Sequence, residues 1–357
     1  MINSNKILNT QEISRSVLLW YDQNKREFPW RSDNGSIKNP YFIWISEVML
    51  QQTTVSTVIP RFNSFIKRWP NILKLSNASL DEVLNEWQGL GYYSRAHNIH
   101  KTSKIIINDY EGKFPRALSD LKNLPGIGEY TAGAIASIAF SKPVLPIDVN
   151  VQRVLARLNG IVITKKNSKS KIKKIANSFC EINRPGDVTQ AFMDIGSILC
   201  KPNVPHCDPC PINKNCFAFQ NKITDKVPGK EIKKKKSCKY AVVFFALNKN
   251  MQIFSRKRTD KNLFKGMMEL PSTPFLEEDW SDRSAFNYKP FKSNWVDTNL
   301  KVKHSLSHFD ISLRVFFARS NNQNKGRWVD LDKIDKETFP VLFKKVINTV
   351  LEKYLHV

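Results

Sequence analysis

The sequence predicts a multidomain protein: an all-α N-terminal half, a basic linker and a smaller C-terminal α/β half. Three observations carry this. The chain has 357 residues, enough for two cores. Apolar residues recur at helical spacing up to about Lys222, and strand-like alternation is scarce before residue 239. The composition then changes at "DKVPGKEIKKKKSCK", where Pro, Gly and four consecutive lysines interrupt the pattern. The expected divisions are 1–225, a linker at 226–239, and 240–357.

In "YFIWISEVMLQQTTVSTVI" the apolar residues at 44, 45, 48, 49, 55, 58 and 59 have helical spacing, and Pro60 and Pro70 punctuate the segment. Further helices are expected at 80–87, 95–109, 129–140, 150–158, 168–182 and 187–199. Beyond the linker, "YAVVFFALN", "QIFSRKR" and "FDISLRVFFAR" read as strands; in the last, Ile311, Leu313, Val315 and Phe317 alternate. The closing "FPVLFKKVINTVLEKYL" reads as an amphipathic helix. There is no internal repeat of fixed period.

The net charge of +24 points to a polyanionic partner, nucleic acid first, although a lysine-rich proteome would also raise it. No stretch reaches the roughly 18 apolar residues of a membrane span. The N-terminus lacks the apolar core of a signal peptide. An intracellular protein is expected, in a compartment where disulfides are rare.

That expectation bears on the cysteines. Cys200, Cys207, Cys210 and Cys216 follow the spacing C-x6-C-x2-C-x5-C. Four thiols so close together in a reducing compartment call for a metal, and both a zinc ion and a [4Fe–4S] cluster fit. Four protein ligands leave no open position, so the site reads as structural. Cys180 and Cys238 lie outside the spacing.

"LPGIGEYTAGAI" follows the helical "FPRALSDLKNL", and the whole of 118–140 resembles a helix-hairpin-helix motif. Gly126 and Gly128 permit the tight turn and close backbone approach. Amides at the start of the next helix can then hold a DNA phosphate, which positions the duplex without reading its sequence.

Two carboxylates stand in opposite surroundings. Glu47 is the only charge in "YFIWISEVML". Among Trp44, Ile45, Val48 and Met49 it would be desolvated, raised in pKa and able to donate a proton near neutrality. Pattern alone favours another reading, in which Glu47, Gln51 and Thr54 form the solvated stripe of an amphipathic helix. In "PVLPIDVNVQRVLARLNG", Asp148 or Asn150 falls at a helix N-terminus, where the ionised form is stabilised. A buried anion there would steady a developing cation; a simple N-cap is the plainer reading.

Together, "FPWR" (28–31), "SEVMLQQT" (46–53), "GLGYYSRA" (89–96), "LPGIGEYTAGAI", "IDVNVQRVLAR" and the four-cysteine loop resemble the endonuclease III superfamily of base-excision DNA glycosylases, specifically its MutY-type adenine glycosylases. The resemblance runs from about residue 15 to 225. It continues more weakly over 240–357, which is similar to the family's Nudix-like domain that recognises 8-oxoguanine. It implies a [4Fe–4S] cluster on the four cysteines in the loop 200–216. It implies a protein that flips adenine out of double-stranded DNA where it is mispaired with 8-oxoguanine or guanine. A monomer is expected, and the short N-terminus without a targeting segment favours the cytoplasm of a bacterium.

The resemblance assigns roles. Glu47 matches the acid that protonates the leaving adenine, and Asp148 the carboxylate that stabilises the oxocarbenium-like sugar, with Asn150 in support. Gln51, Gln52 and Tyr92 match residues that enter the duplex. Tyr130 stands where bifunctional relatives carry a Schiff-base lysine, which implies a monofunctional enzyme. Ser307 and His308 match two members of the family's Phe-Ser-His loop, with Leu306 in place of the aromatic. "GMMELPS" (266–272) is not followed by a Nudix acid cluster, so neither Mg²⁺ nor pyrophosphatase activity is expected.

Overall fold

The computed structural model describes residues 9–31, 38–163, 168–179, 183–229, 236–259, 263–306, 308–321 and 326–355. Ser307 and Cys180 lie outside the described residues. Contacts divide the chain into two compact units. One holds the described residues through Asn77 and those from Asn98 through the first part of the linker. The other holds Ala78–His97 and the described residues from Lys236 onward. The segment Ala78–His97, read from sequence as part of the N-terminal half, thus belongs with the C-terminal unit. Among the described residues, no helix is long and apolar enough to cross a membrane.

The chain opens with α1 (Thr10–Asn24), α2 (Pro40–Leu50), α3 (Val55–Arg68), α4 (Ile72–Ser76), α5 (Leu80–Glu86) and α6 (Ser94–Asp109). It continues with α7 (Leu118–Asn123), α8 (Glu129–Ala134), α9 (Val149–Leu158), α10 (Ser168–Asn177), α11 (Pro185–Ile198) and α12 (Phe217–Gln220). Helix α2 starts at Asn39, whose side chain accepts from the Tyr41 N–H, with Pro40 in the first turn. It is buried nearly all round, from Tyr41 through Met49 except Phe42. A capping box of Ser79 and Glu82 starts α5.

The core of the helical unit joins Ile13 and Val17 of α1 to Val154 and Leu155 of α9 and to Phe192 and Ile195 of α11. Phe192 is fully buried, and its removal from water contributes roughly 2–3 kcal/mol. Gly196 permits the close crossing of α11 over α9: a Cβ there would meet the Asn150 Cβ at 2.7 Å.

The single helix expected at 129–140 is broken. After α8 the backbone widens into a π-helix over Ile135–Ala139. There the Ser137 and Thr189 hydroxyls bond at 2.8 Å, and a Cβ on Gly186 would lie 2.9 Å from the Ser137 carbonyl. The start of α11 is therefore packed directly on the widened turn.

The second unit contains β1 (Ser237–Leu247), β2 (Gln252–Lys257), β3 (Met268–Glu269), α13 (Asp282–Ala285), β4 (Val296–Ser305), β5 (Phe309–Arg319), β6 (Arg327–Asp330) and α14 (Val341–Leu355). Strand β1 begins inside the segment read as linker. The sheet order is β3-β2-β1-β5-β4, with β6 also paired to β2. Strands β1 and β5 run parallel from Ser237↔Phe309 to Leu247↔Arg319, and the other pairs are antiparallel. Ala241, Val243 and Phe245 face a core shared with Phe343, Val346 and Ile347 of α14. Val242, Phe244 and Ala246 face a second core with Phe291, Trp295 and Phe316. A sheet buried on both faces explains the unbroken apolar run of β1. Strand β4 escaped the sequence reading because its register shifts between Asp297 and Lys301, which breaks the alternation.

Candidate active site

In the helical unit, α2, the start of α8, the start of α9 and part of α11 enclose a cavity of about 800 Å³. Glu47, Gln51, Gln52, Tyr130, Asp148 and Asn150 all line it. Residues up to about a hundred positions apart thus meet in one place.

Glu47 is only 7% exposed, which corrects the solvated-stripe reading. The reason is tertiary: α2 packs against α3, α8 and the π-helix, so no face of it is a water-facing stripe. Desolvation pushes its carboxyl up to about 7, with Asp148 adding to the rise. The Tyr130 hydroxyl, which donates to Glu47 Oε2 at 2.7 Å, and the charge of Arg31 oppose the shift. Burial and the neighbouring carboxylates hold the Tyr130 phenol protonated, well above its ordinary value.

Asp148 is the N-cap of α9, and its Oδ1 accepts from the Val151 N–H at 2.6 Å. Its Oδ2 accepts from the Asn150 amide at 3.1 Å. Burial raises the Asp148 carboxyl, against the pull of these two donors and of Arg153. Asp148 is thus both the cap and a partly buried carboxyl, but burial outweighs the helix terminus, so the net stabilisation of the ionised form expected from the sequence is not found. Asn150 is held in turn, since its Oδ1 accepts from Arg153 Nη2 at 2.8 Å. Arg153 also donates to the carbonyls of Gly196 (2.6 Å) and Cys200 (2.7 Å). A continuous chain of hydrogen bonds thus runs from the cysteine loop to Asp148.

Sequence reasoning gave no role to Arg153, nor to the "FPWR" arginine. Asp194 is fully buried and is held by Arg26 at 2.5 Å and Arg31 at 2.7 Å; both arginines also line the cavity. A signal for Arg153 existed. It stands three positions after Asn150 on an amphipathic helix, on the buried side.

Gln51 caps the C-terminus of α2, and its Nε2 reaches Thr131 Oγ1 at 3.4 Å. Gln52 follows in left-handed backbone, φ 57°, and is exposed. Such a conformation is strained for a non-glycine residue and recurs at functional sites.

The hairpin Leu124–Gly128 joins α7 to α8 with both glycines exposed. Gly126 has φ 77°, and a Cβ there would lie 2.7 Å from the Asn98 Cβ, so any side chain would break the turn. The Thr102 hydroxyl secures it by donating to the Pro125 carbonyl at 2.9 Å.

Tyr92 and His308 belong to the second unit, where their rings meet edge to face at 6.3 Å. Tyr92 sits at φ 45° after Gly89 (φ 89°) and Gly91 (φ 71°), and Arg95 lies over its ring at 5.7 Å. Arg95 Nη2 also donates to the Leu90 carbonyl at 2.7 Å, which fixes the turn that displays the tyrosine.

Cys200, Cys207, Cys210 and Cys216 line one small, mostly apolar cavity with Val154, Arg157 and Ile212. Arg157 Nη1 approaches Cys200 Sγ at 3.4 Å and donates to the Lys201 carbonyl at 2.7 Å. Among the described residues, no three His, Cys, Asp or Glu side chains stand close enough together to hold a single metal ion.

Residues 45–181 match the HhH-GPD superfamily base excision DNA repair protein family, and residues 242–349 match the NUDIX domain family. Adenine DNA glycosylase of Buchnera aphidicola subsp. Schizaphis graminum (strain Sg) is 36% identical over 355 residues, 95% of this chain and 97% of that one. Adenine DNA glycosylase of Homo sapiens is 41% identical over 212 residues, 57% of this chain and 39% of that one. Among solved structures, a thermostable thymine-DNA glycosylase superposes with a TM-score of 0.52 at 25% identity, covering 58% of this chain and 95% of that one. The likeness to the Buchnera protein extends across both units, and with it this chain belongs to the adenine DNA glycosylase family.

Proposed function

We propose that this protein excises adenine mispaired with 8-oxoguanine or guanine in double-stranded DNA, hydrolyses the N-glycosidic bond and leaves an abasic site. The observation that carries the reading is the meeting of Glu47, Tyr130 and Asp148 in one cavity, with the glutamate carboxyl raised to about 7. A base in that cavity has left the stack, and extrusion is easiest at a mispair.

Glu47 in its protonated form gives its proton to the purine, which can then depart as a neutral base. The bond from the sugar C1′ to the base nitrogen breaks, and positive charge develops on the sugar. Asp148 stabilises that charge, held in place by Val151 and Asn150. Glu47, now a carboxylate, takes a proton from the water that adds to C1′ and so returns to its starting state. Tyr130 keeps Glu47 oriented. A phenol cannot form an imine with the sugar, so strand cleavage does not accompany excision.

Gln51 and Gln52 enter the duplex at the vacated position, and Gly126 and Gly128 bring the hairpin amides to a backbone phosphate. Tyr92 wedges beside the oxidised guanine, which His308 and Ser307 read. The four cysteines would hold a [4Fe–4S] cluster; their convergence on one cavity supports this. Such a cluster would supply a covalent clasp for the loop that carries the Cys200 carbonyl bonded by Arg153. The protein acts as a monomer in the bacterial cytoplasm.

Single-turnover reaction on a duplex with adenine opposite 8-oxoguanine, with and without alkali afterwards, tests the reading. Strand breaks that require alkali are expected. Breaks without alkali would make the enzyme a lyase, and no product despite tight binding would make it a non-catalytic DNA-binding protein.

A further inference from the structure

Beside the hairpin lies a second cavity, of about 570 Å³, lined by Lys122 of α7, Glu129 and Tyr130 of α8, Gln152 of α9, and Lys169 and Lys173 of α10. Tyr130 and Gln152 line this cavity and the active-site cavity alike, so the two share a wall. Helix α10 has the sequence SKSKIKKIAN: four lysines, all exposed, and no acid. Ile172 and Ala176 bury its other face against the core, which fixes the lysines outward.

Among the residues that line this cavity the carboxylate is Glu129, directly after the hairpin. A carboxylate there would repel the phosphate that the hairpin is read as holding. Lys173 cancels it with an ion pair of 2.5 Å between two largely exposed side chains. Lys122, which also lowers the Glu129 carboxyl, and the exposed Lys169, Lys171 and Lys174 add positive charge around that pair.

We propose that the lysine face of α10, with Lys122, is a second contact surface for the sugar-phosphate backbone of duplex DNA. It extends the hairpin contact away from the active site and adds affinity without reading sequence. This rests on the reading of the protein as a DNA glycosylase. The ligand class follows from the chemistry: several ammonium groups spread over the solvent side of one helix, Lys169 with Lys173 and Lys171 with Lys174 each about one turn apart, suit a polyanion with regularly spaced phosphates.

The test is the salt dependence of binding by the full chain to a short duplex carrying a tetrahydrofuran abasic-site analogue. Lys169→Gln/Lys171→Gln/Lys174→Gln should lower the slope of log K against log [KCl] by about 2 to 3, with affinity at physiological salt roughly tenfold to a hundredfold weaker. The same charge change at Lys249, Lys289 and Lys292 of the α/β unit is the comparison, and should leave the larger part of the slope intact. Glu129→Gln should tighten binding severalfold, because it frees Lys173. An unchanged slope in the α10 variant would show an ordinary solvated helix and overturn the proposal. An equal loss in both triple variants would overturn it too, since only overall charge would then matter. If the unaltered chain neither binds this duplex nor excises adenine, the glycosylase reading itself fails, and that outcome is distinct from either of these.

Discussion

Each of the two units buries a glutamate, and the surroundings differ. Glu47 of the helical unit is 7% exposed and Glu269 of the α/β unit 3%. Glu269 lies between Arg256, at 2.9 Å, and Arg258, and ties β3 to β2 and the residues that follow it. Glu47 is bonded instead by a neutral phenol, with Asp148 near enough to raise its pKa. A carboxylate matched by two guanidiniums is a cross-link. A carboxylate matched by a neutral donor, beside a like charge, can gain and lose a proton near pH 7. Asp194 shows that the helical unit uses the first arrangement as well, a residue away from the cavity wall at Met193. Burial alone therefore does not mark a carboxyl that can exchange a proton near neutrality; its partner does.

The contrast can be broken most sharply at the chemistry. Glu47→Gln and Asp148→Asn should each slow single-turnover adenine excision by about a thousandfold or more, with duplex binding retained. Near-normal excision by either variant would remove that residue from the mechanism. Glu269→Gln should act on the fold instead. It leaves two guanidiniums without their carboxylate and should cost about 3 kcal/mol in denaturant unfolding of the α/β unit. A change under about 1 kcal/mol would mean that the arginines find water.

Glu47→Gln should have the opposite effect on stability. The folded protein holds the Glu47 proton more tightly than the unfolded chain between pH 4.5 and about 7. Stability is thus lost as pH rises through that window, by up to about 3 kcal/mol for this group. The amide variant should be the more stable protein at pH 8 and show a weaker pH dependence. Excision by the unaltered enzyme should decline as pH rises through about 7, because the protonated acid is consumed.

Smaller effects sharpen the role of the phenol. Tyr130→Phe removes a donor that lowers the Glu47 pKa, so the alkaline limb of the pH–rate profile should move up. A limb that stays in place would mean that another group sets it. Tyr130→Lys should yield an adduct with the sugar that borohydride traps. The smallest change concerns Leu306, which packs on the α/β core. Leu306→Phe should raise modestly the preference for 8-oxoguanine over guanine, and an unchanged ratio would show that this position does not touch the lesion.

Much of this protein was legible in its sequence because the signals were local. The cap at Asp148, the hairpin glycines, the cysteine spacing and the apolar run of β1 depend on neighbours within a few residues or on simple periodicity. Strand β4, the π-helix after α8 and the assignment of Ala78–His97 to the second unit were not legible. A bulge hides alternation, a widened turn answers to the helix packed on it, and contacts between distant segments leave no periodicity. The site divides in the same way. The sequence by itself singled out the candidate residues for the chemistry and the family motifs they match. Only the tertiary structure decided that Glu47 is buried, that its partner is the Tyr130 hydroxyl and that Arg153 anchors Asn150. Proton affinity depends on what surrounds a carboxyl in space, and for Glu47 those groups come from α8, the start of α9 and the turn that carries Arg31.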